Sequence, residues 1–377
     1  MSSFKKMISS KFAAPFKPRY GPGGRHSQSG ITATVFGGTG FLGRYVIGQL
    51  GQRGSLVYIP YRGCEMEVRH LNQMFDHGQV GMMPYSPRDE ASIYEAVKNS
   101  DLVINLIGKD YETKHLVPTR RADGSISNTN YGYDDTLVNI PQTIARISRE
   151  AGVKAFIHMS ALSANPNSKS KWARCKARGE EVVRQEFSDA IIIRPSDVFG
   201  HEDKFLNYIG TASSILPFVP LTSYGQTLCQ PVHSSDIGVA VNRIINGHKE
   251  FAGKTFELAG PDVYTHREVV EFVADLTTVR TDMLNVPYPI LSMIAELIDY
   301  TIEPFINRDK LIRLTEDNIL KPSNSPDVLN FDALDIVPAS MEDHAFDYMH
   351  RFRPGGHFRL VEGYYDTNEK EKIQASK

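Results

Sequence analysis

The sequence is poor in cysteine and has no long uncharged apolar run. Its three cysteines, Cys64, Cys175 and Cys229, are widely spaced and form no Cys-x-x-Cys pair. This pattern excludes a disulfide framework and a cysteine-rich zinc site, and it indicates a reducing compartment. The segment that comes nearest to a membrane span, residues 285–306, contains Glu296, Asp299 and Glu303. We therefore expect no membrane-spanning helix.

Acidic residues are missing from the beginning of the chain. The first is Glu65, and nine Lys or Arg precede it, six of them within the first thirty residues. Residues 1–30 are rich in Ser, Lys and Arg, a composition typical of a mitochondrial transit peptide. The alternative is a basic arm kept on the mature protein, lying on an anionic surface. The formal net charge of the whole chain is −2, so no global field indicates a nucleic-acid partner.

Short apolar runs alternate with amphipathic segments from residue 31 onward. This alternation predicts an α/β fold, a Rossmann-type doubly wound parallel sheet with helices on both faces. The predicted strands are ITATVF (31–36), SLVYIPY (55–61), QVGMMPY (79–85), DLVINLI (101–107), KAFIHMS (154–160) and AIIIRP (190–195).

The pattern becomes irregular after residue 200. We predict a dinucleotide-binding domain at 31–200, a smaller α+β substrate-side or partner lobe at 201–365 that is partly interleaved with the sheet, and a polar tail at 366–377. Residues 114–135 are rich in Gly, Asn, Asp and Ser and predict a long surface loop. Residues 285–306 predict a helix that belongs to the core or contacts a protein partner; contact with a membrane subunit is the alternative.

A glycine motif, Gly37-x-x-Gly40-x-x-Gly43, follows the first strand directly and opens a helix near Phe41. Its glycines permit a tight turn, the approach of a pyrophosphate to the backbone, and close packing of helix on strand. The helix N-terminus would then face the phosphates. The motif therefore predicts a dinucleotide site.

The end of the second strand predicts which dinucleotide binds. An NAD site places Asp or Glu there to accept hydrogen bonds from the ribose hydroxyls. This chain has Tyr61, Arg62 and Gly63 instead, with no carboxylate before Glu65. A guanidinium suits a 2′-phosphate, so we predict NADPH rather than NADH. The alternative is that Arg62 is a solvated arginine without a ligand.

Several motifs resemble the extended short-chain dehydrogenase/reductase superfamily over about residues 31–265. They are GGTGFLGRYV, DLVINLIG, FIHMSAL, IIIRPSDVFG and QPVHSSDIGVAV. The resemblance implies that Ser160 and Lys176 belong to the active-site trio. With the glycine motif and Arg62, the candidate cofactor-binding residues are Gly37, Thr39, Gly40, Phe41, Leu42, Gly43, Arg62, Asn105, Leu106, Gly108, Ser160, Lys176 and Pro195.

A narrower resemblance covers most of the first two hundred residues and the later segment INRDKLIRLTEDN. The stretches INLIGKDYETK, IPQTIARISREAGVKAFIHMSALSAN and RPSDVFGHEDKFLN closely resemble the NADPH-binding accessory subunits of mitochondrial respiratory complex I. This family resemblance implies a structural NADPH, other complex I subunits as partners, and a peripheral place on the matrix side of the inner membrane near the quinone region. Two features depart from the family. Near the end of the third strand, where the family usually has an Asp, this chain has Ser86. The 114–135 loop is also longer than the family's.

Trp172 occupies the place of the catalytic tyrosine in Tyr-x-x-x-Lys. Lys176 lies four residues on, one turn along the same helix face. An indole N–H donates a hydrogen bond but releases no proton at useful pH, so general acid catalysis is lost. We therefore expect no catalytic residues, only vestigial Ser160, Trp172 and Lys176. The alternative acids are Tyr131 and Tyr133.

The histidines give no metal site. His158 lies in a predicted buried strand, His233 precedes a helix, and His344, His350 and His357 lack ligand spacing. Three functions stay open at this point: a non-catalytic complex I subunit, a free NADPH-dependent reductase or nucleotide-sugar epimerase, and a nucleotide-binding redox sensor.

Overall fold

An eight-stranded sheet forms the centre of the protein. The computed structural model describes residues 28–113, 117–120, 126–279, 282–299, 301, 304–321 and 325–353. From one edge to the other, the strands are β16 (Val328–Leu329), β13 (Thr255–Leu258), β8 (Ile191–Pro195), β7 (Ala155–Met159), β4 (Leu102–Asn105), β1 (Thr32–Phe36), β2 (Leu56–Tyr61) and β3 (Val80–Pro84). Every pairing in this sheet is parallel, which confirms the predicted Rossmann-type class.

Helices cover both faces of this sheet. The α-helices of the described residues are α1 (Phe41–Gln52), α2 (Glu65–Val68), α3 (Glu90–Val97), α4 (Ile140–Glu150), α5 (Lys171–Glu186), α6 (Leu206–Ile215), α7 (Ser234–Asn246), α8 (His266–Thr277), α9 (Tyr288–Ile298), α10 (Arg308–Arg313), α11 (Met341–His344) and α12 (Phe346–Met349). Helices α1 and α7 pack together on one face, and α3, α4 and α5 pack on the other.

Alternate residues of each strand serve the two faces. Ala33 and Val35 of β1 join the core under α1 and α7, whereas Phe36 joins the core under α3 and α4. All three side chains are fully buried. A strand whose two faces are both covered must be apolar at nearly every position, and this explains the continuous apolar runs.

The strand order changes direction between β1 and β4. The chain leaves β1 for β2 and β3 on one side and then returns to β4 on the other side of β1. Ligands bind in parallel α/β sheets at this switch point, beyond the carboxyl ends of the strands. The glycine turn after β1 and the turn at residues 105–108 after β4 meet there.

The region after residue 200 builds a second core beside the carboxyl ends of the strands. Phe199, Leu206, Val273 and Tyr348 are at its centre. Short pairs complete this region: β9 (Val198–Phe199) with β12 (Val232–His233), β10 (Phe218–Leu221) with β15 (Asp282–Asn285), and β11 (Leu228–Cys229) with β14 (Tyr264–Thr265). Strands β13 and β16 come from the same part of the chain and extend the main sheet; the domain division at residue 200 stays a prediction.

The prediction of a loop at 114–135 is wrong in part. Strands β5 (Val117–Arg120) and β6 (Ile126–Thr129) pair antiparallel, and a π-helical stretch, Asp135–Asn139, follows them. β-Branched residues in both strands favour this pairing, and an Asp-Gly pair between them is a hairpin signal. Residues 114–116 and 121–125 lie outside the described part of the chain.

The core interpretation of residues 285–306 is wrong for most of its apolar side chains. In α9 only Leu291 and Ala295 are buried, against Leu311 of α10. The other face of this short helix has nothing packed on it among the described residues, so four apolar side chains are exposed: Ile290, Met293, Ile294 and Leu297. No helix in the described ranges is both long and apolar enough to span a membrane.

Other predictions fall outside the described residues. These are most of the basic segment (residues 1–27), the polar tail from 366, His357 and Glu303.

Two helical glycines give a matched test of the packing that positions α5. A Cβ at Gly179 of α5 would lie 2.2 Å from the backbone oxygen of Leu137, whereas a Cβ at Gly48 of α1 would meet nothing within 4 Å. We expect Gly179→Ala to destabilise the fold by about 1–3 kcal/mol through overpacking. Gly48→Ala should stabilise it by about 0.5–1 kcal/mol, because alanine favours the helix. Thermal unfolding of both variants measures this, and equal melting temperatures would contradict the packing.

Candidate dinucleotide site

The turn after β1 brings the motif glycines together. Gly37 has a φ of +77°, and a Cβ there would lie 3.0 Å from the carbonyl carbon of Leu106. A Cβ at Gly43 would lie 2.5 Å from two backbone carbonyl oxygens of the same turn, so only glycine fits. Thr39 and Gly40 are exposed at the start of α1. The free N–H groups of this helix end favour an anion such as a pyrophosphate.

The first two residues of α1 contact its next turn and the core. The ring of Phe41 packs edge-on against Tyr45, with ring centres 5.7 Å apart. Leu42 is partly buried against the sheet core. No acidic side chain lies in the first turn of α1 to compete with a bound anion.

The turn after β4 is held by a buried polar pair. Asn105 is fully buried; its Nδ2 donates to His158 Nδ1 (3.2 Å), and its Oδ1 accepts from the backbone N–H of Ile107 (3.1 Å). Burial lowers the pKa of His158 to about 3, with Lys176 adding to the shift, so the ring is neutral. The Asn105 side chain therefore holds the turn from its buried side. Gly108 is at the exposed end of that turn.

Two arginines flank one tyrosine at the carboxyl ends of β2 and β3. The guanidinium carbon of Arg62 lies 5.8 Å from the centre of the Tyr131 ring, and that of Arg88 lies 4.8 Å from it. Arg88 also donates to the carbonyl of Asn130 (2.8 Å). Within the described ranges, Arg62 is exposed and forms no ion pair. Its charge is thus available to an anion beside Arg88.

Sequence reasoning missed Arg88 and assigned Tyr131 a different role. Arg88 follows the third strand in the stretch PYSPRD, where sequence reasoning considered only the residue that would meet the adenine amine. A positively charged side chain at the end of the strand next to β2 was the signal that could have identified it. Tyr131 lies between the two guanidinium groups, on the β2 and β3 side of the sheet.

Lys176 and Ser160 meet at the end of β7. Lys176 is buried, and its Nζ donates to the carbonyl oxygens of Met159 (3.1 Å) and Ser160 (3.5 Å). Burial lowers the pKa of Lys176 to about 8; nearby Glu180 opposes this shift. The Ser160 hydroxyl is buried and has no hydrogen-bond partner among the described residues. This hydroxyl is therefore available to hydrogen-bond a ligand.

Trp172 is fixed by contacts on its edge and its face. Its Nε1 donates to the backbone carbonyl of Lys109 (2.8 Å), and the guanidinium of Arg313 lies 4.3 Å from the ring centre. The Lys176 Nζ lies 5.6 Å from the same ring. The indole N–H is therefore already bonded to the protein, and Arg313 brings a permanent cation to the face of the ring.

The two alternative acids, Tyr133 and Tyr131, lie in different environments. The Tyr133 hydroxyl is buried and donates to the carbonyl of Asp110 (2.9 Å), and burial strongly raises its pKa. Tyr131 lies near Arg62 and Arg88, across the sheet from Ser160 and Lys176. The Tyr133 ring belongs to the same apolar cluster as Trp172, and its hydroxyl is already bonded to the protein.

Histidines form no metal cluster in the described ranges. His233 stacks on His344 with ring centres 4.6 Å apart, beside Phe199. Burial lowers the pKa of His233, and His344 and His201 add to this while Asp236 opposes it. These rings have a packing role before α7.

The predicted cofactor residues fall into two groups around the switch point. The glycine turn, Arg62 and the 105–108 turn lie at the ends of β1, β2 and β4; Ser160, Lys176 and Pro195 lie at the ends of β7 and β8. Pro195 is buried, and its carbonyl accepts from Leu162 N (2.8 Å). A closely fitting glycine cradle, an unpaired arginine and an orphan serine hydroxyl all fit a dinucleotide.

The fold is shared with nicotinamide-dependent enzymes. Residues 33–220 match the family described as "NAD dependent epimerase/dehydratase family". Citrobacter sp. triphenylmethane reductase complexed with NADP(H) superposes with a TM-score of 0.64 at 16% identity, over 84% of this chain and 99% of that one. The NADPH-dependent quinone oxidoreductase QOR2 of Escherichia coli, complexed with NADPH, gives 0.62 at 14% identity, over 84% and 99%. These likenesses show the fold.

Relatives of higher identity cover both lobes. The mouse protein "NADH dehydrogenase (ubiquinone) 1 alpha subcomplex subunit 9, mitochondrial" is 40% identical over 89% of this chain and 84% of its own length. The Arabidopsis thaliana protein of the same name is 36% identical over 90% and 82%. The Neurospora crassa "NADH-ubiquinone oxidoreductase 40 kDa subunit, mitochondrial" is 36% identical over 93% and 86%. The chain therefore belongs to the family of these mitochondrial NADH dehydrogenase subunits.

Proposed function

We propose that this chain is a non-catalytic, NADPH-binding accessory subunit of mitochondrial complex I. The observation that carries the proposal is the match to subunits of this enzyme over 89% of the chain, with 84% of the mouse relative covered. Because the match includes the C-terminal lobe, it extends beyond the dinucleotide-binding part that many enzymes share.

NADPH is the ligand that fits the site. The glycine turn and the start of α1 would receive the pyrophosphate, and Arg62 with Arg88 would receive the 2′-phosphate. Lys176, Ser160 and the 105–108 turn would hold the nicotinamide half. NADPH supplies a hydride in reductases of this fold; here we propose that it is a structural ligand. A ligand that binds only the native state stabilises it by about 4 kcal/mol at a thousandfold excess over Kd.

The proposal that the subunit is non-catalytic rests on Trp172. Its N–H donates to the Lys109 carbonyl, and an indole cannot transfer that proton to a carbonyl substrate. Arg313 covers the ring and is itself always protonated, so it offers no acid either. On this proposal, a free reductase or epimerase would need a positioned general acid in place of Trp172.

The surroundings of the subunit follow from its family and its surface. We propose other complex I subunits as partners, a peripheral location on the matrix side of the inner membrane, and no nucleic-acid partner. Met293 and Leu297 of α9 are 69% and 77% exposed. Adjacent exposed apolar side chains of this size support a role inside an assembly.

The two arginines can be tested through cofactor preference. We expect Arg62→Ala to weaken NADPH binding by about ten- to hundredfold, since charged hydrogen bonds contribute about 1.5–3 kcal/mol, while NADH binding changes little. Arg88→Ala should act in the same direction. The control is Arg267→Ala, because Arg267 is exposed on α8 and pairs only with Glu271 among the described residues. Calorimetric titration measures the affinities; unchanged NADPH affinity in the double variant would remove the 2′-phosphate assignment.

The absence of turnover can be tested directly. Purified protein loaded with NADPH should not reduce a panel of aldehydes, ketones and quinones above the rate of free NADPH, as followed by nicotinamide absorbance. The Trp172→Tyr variant restores a hydroxyl at this position and serves as the comparison. Substrate-dependent oxidation by the unmodified protein that disappears in Lys176→Ala would contradict the non-catalytic assignment.

The assembly can be tested in mitochondria. Native electrophoresis of membranes in mild detergent, with mass spectrometry along the lane, should place this chain at the large mass that shows NADH dehydrogenase activity. Migration alone or as a small oligomer would contradict the subunit proposal. A further check is high-salt washing, which should leave the chain with the complex.

A further inference from the structure

The C-terminal lobe contains a cavity of about 150 Å³. It lies between α6, β10, α8, α9 and α10, and apolar side chains form most of its wall, among them Ile209, Val219, Leu221, Val270, Phe305 and Leu314. No residue of the glycine turn, nor Ser160 or Lys176, lines it. The cavity is therefore separate from the dinucleotide groove.

The polar groups of this cavity include two lysines. Lys310 Nζ lies 3.9 Å from the centre of the Tyr208 ring, which also lines the cavity. No carboxylate in the described ranges forms an ion pair with Lys310. Lys204 Nζ lies 3.3 Å from the carboxylate of Asp110. The wall thus combines an apolar space with a lysine that rests on an aromatic face and, among the described residues, is not in ion-pair contact with a carboxylate.

The charged groups around Lys310 explain its state. Burial lowers the pKa of Lys310 to about 7; Asp110 and Asp197 oppose this shift, and Arg313 and Lys204 add to it. His266, on the opposite wall, has its pKa lowered by burial and is neutral. An anion beside Lys310 would restore the charge that burial disfavours.

We propose that this cavity binds an amphiphile with one anionic head group and a single aliphatic chain. The head group, a carboxylate or a phosphate, lies at Lys310 and Lys204, and the chain lies among the apolar side chains. A sugar or a second nucleotide is disfavoured, because these walls offer few partners for its hydroxyl groups.

Calorimetric titrations of the full-length protein, saturated with NADPH, test this proposal. The probes are decanoate and decyl phosphate, with decanol as the chain without charge and acetate as the charge without chain. We expect both anions to bind about tenfold or more tightly than decanol, because each gains a charged contact. Acetate should not bind. Decanoate affinity should fall as the pH rises through the pKa of Lys310.

Variants separate the two halves of the site. Lys310→Gln should lower the affinity for both anions at least about tenfold and leave decanol unchanged. Ala212→Phe, which places a ring in the cavity, should abolish binding of all three chains. The control is Lys98→Gln, because Lys98 follows α3 directly and pairs with Glu95. Retained NADPH binding shows that each variant is folded.

Each outcome decides the proposal. Binding of only one anion supports it and identifies the head group, carboxylate or phosphate. Equal affinities across all variants would mean adsorption to the surface and would overturn it. Absence of binding by both anions to the unmodified protein would overturn it as well.

Discussion

The contact between Asp309 and the N-terminus of α5 controls the geometry of the site. One carboxylate oxygen of Asp309 accepts from the backbone N–H of Lys171 (2.7 Å), and the other accepts from the Ser170 hydroxyl (2.8 Å). A carboxylate at this helix end is favoured because it meets unpaired N–H groups and the positive end of the helix dipole. Asp309 belongs to α10 of the C-terminal lobe, whereas α5 carries Trp172 and Lys176. This carboxylate is thus one of the contacts that hold the C-terminal lobe against the main sheet.

Other contacts follow from that position. Arg313 lies one turn after Asp309 and therefore reaches the face of Trp172, and Lys310 points into the cavity wall. Asn307, which caps α10, donates to the Asp110 carbonyl, the same atom that accepts from Tyr133. Arg313 of the C-terminal lobe thus covers the ring of Trp172, the residue that would be the acid in a reductase, and Asn307 bonds to the nearby Asp110 backbone.

The sequence was informative where one local pattern determines the structure. Apolar runs located six strands of the sheet to within two residues at each end, because a strand covered on both faces has no alternative composition. The glycine motif located its turn because backbone contacts leave no room for a side chain. Arg88, Asp309 and Arg313 act through partners 42 to 141 residues away, and no local pattern carries that information. The exposure of α9 was missed for the same reason: an amphipathic segment does not reveal which of its faces is covered.

Keeping the Lys176 ammonium buried costs free energy, and a bound ligand that reduces this cost gives a reason to retain the lysine without a catalytic acid. Lowering its pKa from 10.5 to about 8 corresponds to about 3 kcal/mol against the buried ammonium, on the scale of 1.36 kcal/mol per pKa unit. The unpartnered Ser160 hydroxyl adds about 1–3 kcal/mol. A bound ribose could accept a hydrogen bond from the ammonium and pair with the hydroxyl, and this would reduce both costs. Because neither gain requires proton transfer, the proposed loss of the acid at Trp172 would leave the stabilisation by a bound dinucleotide intact. On that proposal, Ser160 and Lys176 persist as part of the binding site of a stabilising ligand.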